Sequence, residues 1–130
     1  MQKELIEKNP ILKQSILFSL AIINYCDELD GMKKYSISRQ LIKSGTSIGA
    51  NAMEAQNAES KADFIHKIKI AAKEADETQY WLTLCDYSAG FPNTSALNEN
   101  LIEIQKIINA ILGTAKKKNP FSYILSLFTW

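Results

Sequence analysis

Phe64, Ile68, Ala71, Ala75, Thr78, Leu82 and Cys85 follow one another at alternating steps of four and three residues. At 3.6 residues per turn these positions form one stripe along an α-helix, whereas a strand would divide them between its two faces. Alternation of three and four is also the spacing of helices that cross at about 20° in bundles. A stripe of this length predicts a long helix that needs apolar partners elsewhere in the chain.

Three other stretches supply them. The first opens at Asn9, a good N-cap residue, with Pro10 at the first helical position, and runs to about Leu29 before Asp30-Gly31. Ile11, Phe18, Ile22, Tyr25 and Leu29 form its stripe. Leu12, Ile16, Leu17, Leu20, Ile23 and Cys26 carry the apolar surface most of the way round. A helix apolar on nearly all sides is buried on more than one side, which in a small domain points to a subunit interface. The second stretch spans about 36–57, with Ile37, Leu41, Ser44, Ile48 and Ala52 or Ala55 inward. Its centre, Ser44-Gly45-Thr46-Ser47-Ile48-Gly49-Ala50-Asn51-Ala52, lacks the spacing and the Gly-Lys-Ser/Thr end of a phosphate loop. Small side chains there predict a close approach of two helices. The stripe-bearing helix starts in a capping-box pattern, Ser60-Lys61-Ala62-Asp63, with Asp in the usual Glu place, and ends near Gly90. Ile70, Trp81 and Leu84 lie off its stripe and are a second hint of self-association. The last stretch runs from about Ser95 to Gly113-Thr114, with Leu97, Leu101, Ile104, Ile108 and Ile111 in register.

Connections of about 3–7 residues make neighbours antiparallel. The expected fold is all-α, an antiparallel up-down four-helix bundle over residues 1–118, followed by an apolar tail, 119–130. That tail holds Phe121, Tyr123, Leu125, Phe128 and Trp130. It is expected to pack on the bundle or on a neighbouring subunit.

The chain has 130 residues, enough for one domain with a real core and no disulfide. Five glycines and three prolines are few for an all-β chain. Cys26 and Cys85 show no metal or redox spacing and read as reduced core thiols of a cytoplasmic protein. The apolar run 16–23 is too short to span a bilayer and lacks a basic leader segment and a cleavage site, so a core helix is expected and no membrane partner.

Catalytic chemistry finds little purchase. His66 is the single histidine, which excludes two-histidine metal sites. Asp63, Glu74, Asp76 and Glu77 could in principle pair as acid and base, but Asp63 with Lys67 and Lys73 with Glu77 have the spacing of surface ion pairs. No enzyme, cofactor or metal is expected. Asn51 and Glu54, close to the packed face of the second helix, are expected to join an internal hydrogen-bonding network, with a ligand-binding role as the alternative. The net charge of +1 argues against a strongly basic nucleic-acid protein. Arg39 and Lys43 are nevertheless one turn apart on the second helix, and Lys69 and Lys73 on the third. Such ridges can track phosphates, and a symmetric oligomer would multiply them. Aromatic interleaving of the single-strand-binding kind is not expected.

Two stretches carry a resemblance. Residues 40–55, Gln40-Leu41-Ile42-Lys43-Ser44-Gly45-Thr46-Ser47-Ile48-Gly49-Ala50-Asn51-Ala52-Met53-Glu54-Ala55, form one. Asp63-Phe64-Ile65-His66-Lys67 and Ile70-Ala71-Ala72-Lys73-Glu74-Ala75-Asp76-Glu77-Thr78-Gln79-Tyr80-Trp81-Leu82 form the other. Together, in order and on adjacent helices, they resemble the bacterial four-helix bundle proteins encoded in intervening sequences of 23S rRNA genes. The resemblance extends to about residue 115. It implies an up-down bundle that forms a ring, commonly a pentamer. It also implies kinship with accessory proteins of diversity-generating retroelements, basic barrels that bind nucleic acid and a reverse transcriptase. The near-neutral charge and the tail from Phe121 depart from that pattern. Two functions follow as expectations: a non-enzymatic oligomeric module that contacts RNA or DNA, with or without a protein partner beside it, or a protein-binding or structural ring without nucleic acid.

Overall fold

The computed structural model describes residues 2–116. Among them every regular element is helical: α1 (Gln2–Lys8), α2 (Pro10–Gly31), α3 (Tyr35–Ala55), α4 (Lys61–Tyr87) and α5 (Ser95–Lys116). The all-helical expectation holds, and the four long helices lie where the apolar spacing puts them. The apolar tail lies outside the described residues.

Helix α1 was not legible in the sequence. It has seven residues, too few to be stable alone. It survives because Leu5 and Ile6 pack against the core, and because Lys13 of α2 pairs with Glu7.

The main helix pairings are α2 with α3, α3 with α4, α4 with α5 and α5 with α2, with α1 lying on α2. The long helices thus enclose one core, filled by Phe18, Leu12, Ile22, Leu41, Ile48, Ile68, Leu82, Leu101, Ile104 and Ile108, all essentially inaccessible. Full burial of each such side chain is worth about 1.5–3 kcal/mol. Each predicted inner stripe is found inside. Ile37, Phe64 and Ile111 are half-buried at the stripe ends.

The small-residue centre of α3 is continuous helix, not a loop, and lies against α2. A Cβ on Gly45 would sit 3.0 Å from the Ile22 side chain, and one on Gly49 would sit 3.0 Å from Ser15 Cβ. The glycines set the helix spacing. Ser15 faces this contact with its hydroxyl buried and without a hydrogen-bond partner. On the other side of α3, Thr78 Oγ1 and Ser44 Oγ are hydrogen-bonded at 2.9 Å, and Thr78 Oγ1 donates to the Glu74 carbonyl at 2.7 Å. One hydroxyl proton cannot serve both bonds, so the Ser44 hydroxyl supplies the proton between the helices.

The helix ends divide into those that follow the sequence rule and those that depart from it. Ser60 caps α4 by accepting from Asp63 N at 3.0 Å, while the Asp63 carboxylate accepts from Glu59 N at 3.1 Å. Asn9 stands at the N-cap of α2 but makes no capping bond. Its amide instead donates to Gln56 Oε1 at 3.3 Å, just beyond α3. Helix α2 does not stop at Asp30-Gly31. It runs through Gly31, and the left-handed residue after it is Lys33, at φ 61°.

Candidate nucleic-acid interface

Arg39, Lys43, Lys69 and Lys73 are all exposed. Arg39 and Lys43 are one turn apart on α3, and Lys69 and Lys73 one turn apart on α4. The four do not face a common neutral surface. Arg39 lines a shallow cleft of about 260 Å3 between α2 and α3, together with Asp27 and Asp30. Lys43 lies near Glu74 of α4. Burial pushes the Glu74 carboxyl above its ordinary value, Glu77 adds to the rise, and the charge of Lys43 opposes it. Each α3 cation therefore has carboxylates in its field, which weakens its pull on a phosphate. Lys69 and Lys73 stand on the outward side of α4.

That outward side holds a feature the sequence reading missed. His66, Lys73, Tyr80 and Tyr87 are spaced seven residues apart and all are exposed. Seven residues are nearly two turns, with about 20° of drift per step, so the four side chains form one slowly winding row. Tyr80 is 56% exposed and Tyr87 88%. The expectation of no aromatic interleaving is corrected here: aromatic rings do share a face with the α4 lysines. The signal was the heptad that follows Lys73, obscured by Asp76 and Glu77 between. Trp81 steadies Tyr80 by an edge contact, ring centres 5.1 Å apart. The indole of Trp81 also donates to Glu77 at 3.1 Å. Trp81 is half-buried against the chain's own core, and so are Ile70 and Leu84 at least half withdrawn from solvent. This weakens them as a hint of self-association.

Asn51 and Glu54 do not form the internal network expected of them. The Asn51 amide donates to Ser47 O of its own helix at 2.8 Å. Glu54 is exposed and pairs with Lys67 of α4 at 2.8 Å, which holds the Lys67 ammonium above its usual value. Lys67 thus takes Glu54 as its hydrogen-bonded partner, because Asp63 is occupied at the start of α4.

Both cysteines are buried free thiols, and burial pushes each thiol up, so both stay protonated and poorly nucleophilic. Among the described residues no group of three or more His, Cys, Asp or Glu side chains converges to hold a metal. No described helix is long and apolar enough to cross a membrane.

Two comparisons bear on this arrangement. The model of the 23S rRNA-intervening sequence protein family matches residues 7–110. A crystal structure from Bacteroides thetaiotaomicron, of a protein described as having unknown function and belonging to the S23 ribosomal protein family, is similar in sequence and shape. It shares 39% identity, with a TM-score of 0.75, and the match covers 78% of this chain and 97% of that one. No curated protein matches. The matched span takes in α2, α3, α4 and most of α5, with the close α2–α3 contact and the α4 row inside it, and the chain belongs to the 23S rRNA-intervening sequence protein family.

Proposed function

We propose that this chain is a non-enzymatic module: an antiparallel four-helix bundle that assembles with copies of itself and contacts single-stranded RNA or DNA through the outward face of α4. The observation that carries the binding reading is the exposed row of Lys73, Tyr80 and Tyr87, with Lys69 beside it. Lysines hold phosphates and tyrosine faces stack bases, each stacked base contributing about 1–3 kcal/mol. Arg39 and Lys43 sit on the next helix, where they add charge at the margin. A single copy offers few cations, so closed symmetry is part of the reading.

Assembly is supported by α2. Its inner face is buried, yet on the other side Leu17, Leu20 and Ile23 are exposed, Leu20 to 54%. Three large aliphatic side chains within two turns form a row that a second copy would cover. The pentamer comes from the family resemblance. Antiparallel order is supported by pairs across the long helices: Asn9 with Gln56, Glu54 with Lys67, and Asn98 with Asp86. A cytoplasmic setting fits the free thiols.

Binding to a fluorescent single-stranded RNA, followed over a salt series, tests the reading. Wild type is expected to bind at about 50 mM salt, with affinity falling as salt rises. Lys69→Glu with Lys73→Glu removes two phosphate contacts per copy and should flatten the log–log salt slope by about 1.4. Tyr80→Ala should weaken binding at every salt concentration without changing that slope. Absence of wild-type binding would leave a ring that binds protein alone. Sedimentation tests assembly separately: Leu20→Glu should yield smaller species than wild type, and a wild-type monomer at micromolar concentration would overturn the oligomer.

A further inference from the structure

An open cleft lies at the end where α1 meets α2, beside the last described turn of α5. It has a volume of about 810 Å3, and its apolar walls come from four helices: Leu5 of α1, Pro10 and Ile11 of α2, Phe64 of α4, and Ile107 and Ile111 of α5. Nothing about the α4 row or the exposed face of α2 calls for this cleft. Part of its wall, Leu5, also precedes the span matched by the family model, which ends at residue 110. Ile111, Thr114 and Ala115 of its wall follow that span, while Pro10, Ile11, Phe64 and Ile107 lie within it.

We propose that the cleft is a docking groove for the chain's own C-terminal segment, Phe121 to Trp130. Three observations converge on that occupant. Thr114 and Ala115 line the groove, so the chain leaves α5 at its edge. Phe121 is five residue steps beyond Lys116, a reach of up to about 17 Å at full extension. The segment 119–130 contains no charged side chain, and Phe121, Ile124, Leu125 and Phe128 fall at i, i+3, i+4 and i+7. That is the anchor spacing with which an amphipathic segment fills an apolar groove. In the sequence Asn119-Pro120 precedes these anchors, and the residue before a proline is disfavoured in helix. The volume is of the size that apolar recognition pockets take, about 300–1,000 Å3.

Site-selective oxidation in the full chain tests the docking. The reporter pair is Ala110→Cys, on the groove wall, with Ser126→Cys. The control pair is Asn57→Cys, exposed at the same end of the molecule but outside the groove, with Ser126→Cys. Cys26 and Cys85 are buried and stay silent. A tethered but undocked segment samples the nearby surface at roughly millimolar effective concentration and oxidises both pairs alike, whereas docking should favour the groove pair on the order of ten-fold. The expected product is a cross-link within one chain whose yield does not change on dilution. Equal rates for the two pairs would overturn the proposal. So would a cross-link formed only between chains, which would assign the groove to the segment of a second copy. In the uncrosslinked chain, Phe121→Asp with Phe128→Asp should empty the groove and raise the emission of an added anilinonaphthalene sulfonate dye. Unchanged emission, with helical signal retained, would count against docking, and a loss of helical signal would leave the cross-linking ratio to decide.

Discussion

Where α4 hands over to α5, polar side chains tie the chain down; at the opposite end, where α1 meets α2, apolar side chains surround a cleft. At the first end Tyr25 donates to the Pro92 carbonyl at 2.8 Å. Asp86 accepts from the buried Thr94 hydroxyl, and from Asn98 at 3.2 Å. Cys26 and Ser38 exchange side-chain to backbone bonds between α2 and α3. Lys34 Nζ lies over the Phe91 ring, 4.4 Å from its centre. At the second end the side-chain bond between Asn9 and Gln56 is long, and half-buried Leu5, Ile107 and Ile111 border open volume. Directional bonds fix geometry and penalise any change that strands a partner. Dispersion contacts tolerate rearrangement, and an apolar cleft leaves room for another element. One end is built to be finished and the other to receive.

That contrast can be broken by wedging the helices that serve both ends. Gly49→Leu would drive a side chain into Ser15 of α2, and the expected loss is about 3 kcal/mol, the upper part of the range for overpacking. Thermal melting measures it, and an unchanged midpoint would show that the contact is not close. The polar end comes next. Asp86→Ala removes the acceptor of the buried Thr94 hydroxyl, to which Asn98 still donates at 3.0 Å, and should cost about 1–3 kcal/mol in chemical denaturation.

Tyr25→Phe sharpens the contrast through pH. It removes one hydrogen bond and should cost about 0.5–1.5 kcal/mol near neutrality. Burial, reinforced by Cys85 and then Asp86 and Glu28, holds the Tyr25 phenol above the ordinary tyrosine value of 10.0. The phenol ionises first in the unfolded chain, so the contribution of Tyr25 to stability is level below about pH 10 and falls as pH rises beyond it. In the Phe variant that fall should be shallower, and melts on either side of pH 10 check the sign. The smallest effect belongs to the cleft end. Because Asn9 makes no capping bond, Asn9→Ala should cost a few tenths of a kcal/mol instead of the roughly 1 kcal/mol of a working N-cap.

The legible and illegible parts of the molecule divide along the same line. Ile48, Ile68, Leu82 and Ile104 announce themselves by helical spacing, since burial in a bundle repeats with the helix period. Ser60 and Asp63 are readable because a cap is settled within four residues. Lys67 is not: its intrahelical option with Asp63 and its cross-helix option with Glu54 look alike until the helices are placed. Helix α1 escapes because its stability comes from α2, and the cleft escapes because it is bounded by helices far apart in sequence. Among the candidate binding residues, Arg39, Lys43, Lys69 and Lys73 could be named in advance. Their separation by Asp27, Asp30 and Glu74 could not, and Tyr80 and Tyr87 were hidden by the carboxylates between them and Lys73.

The connections between the long helices are short: three residues from Met32 to Lys34, five from Gln56 to Ser60, and seven from Ser88 to Thr94. Successive helices therefore find their partners at small loop-closure cost. Of the main pairings, α5 with α2 is the one between helices that are not consecutive. A chain so dominated by local pairing belongs with those that fold in microseconds to milliseconds. Closure of α5 onto α2 spans the largest separation along the chain, and it is what covers the α2 side of the row of Leu101, Ile104 and Ile108. A substitution that loosens this one long-range closure would bare an apolar row without disturbing the pairing of consecutive helices.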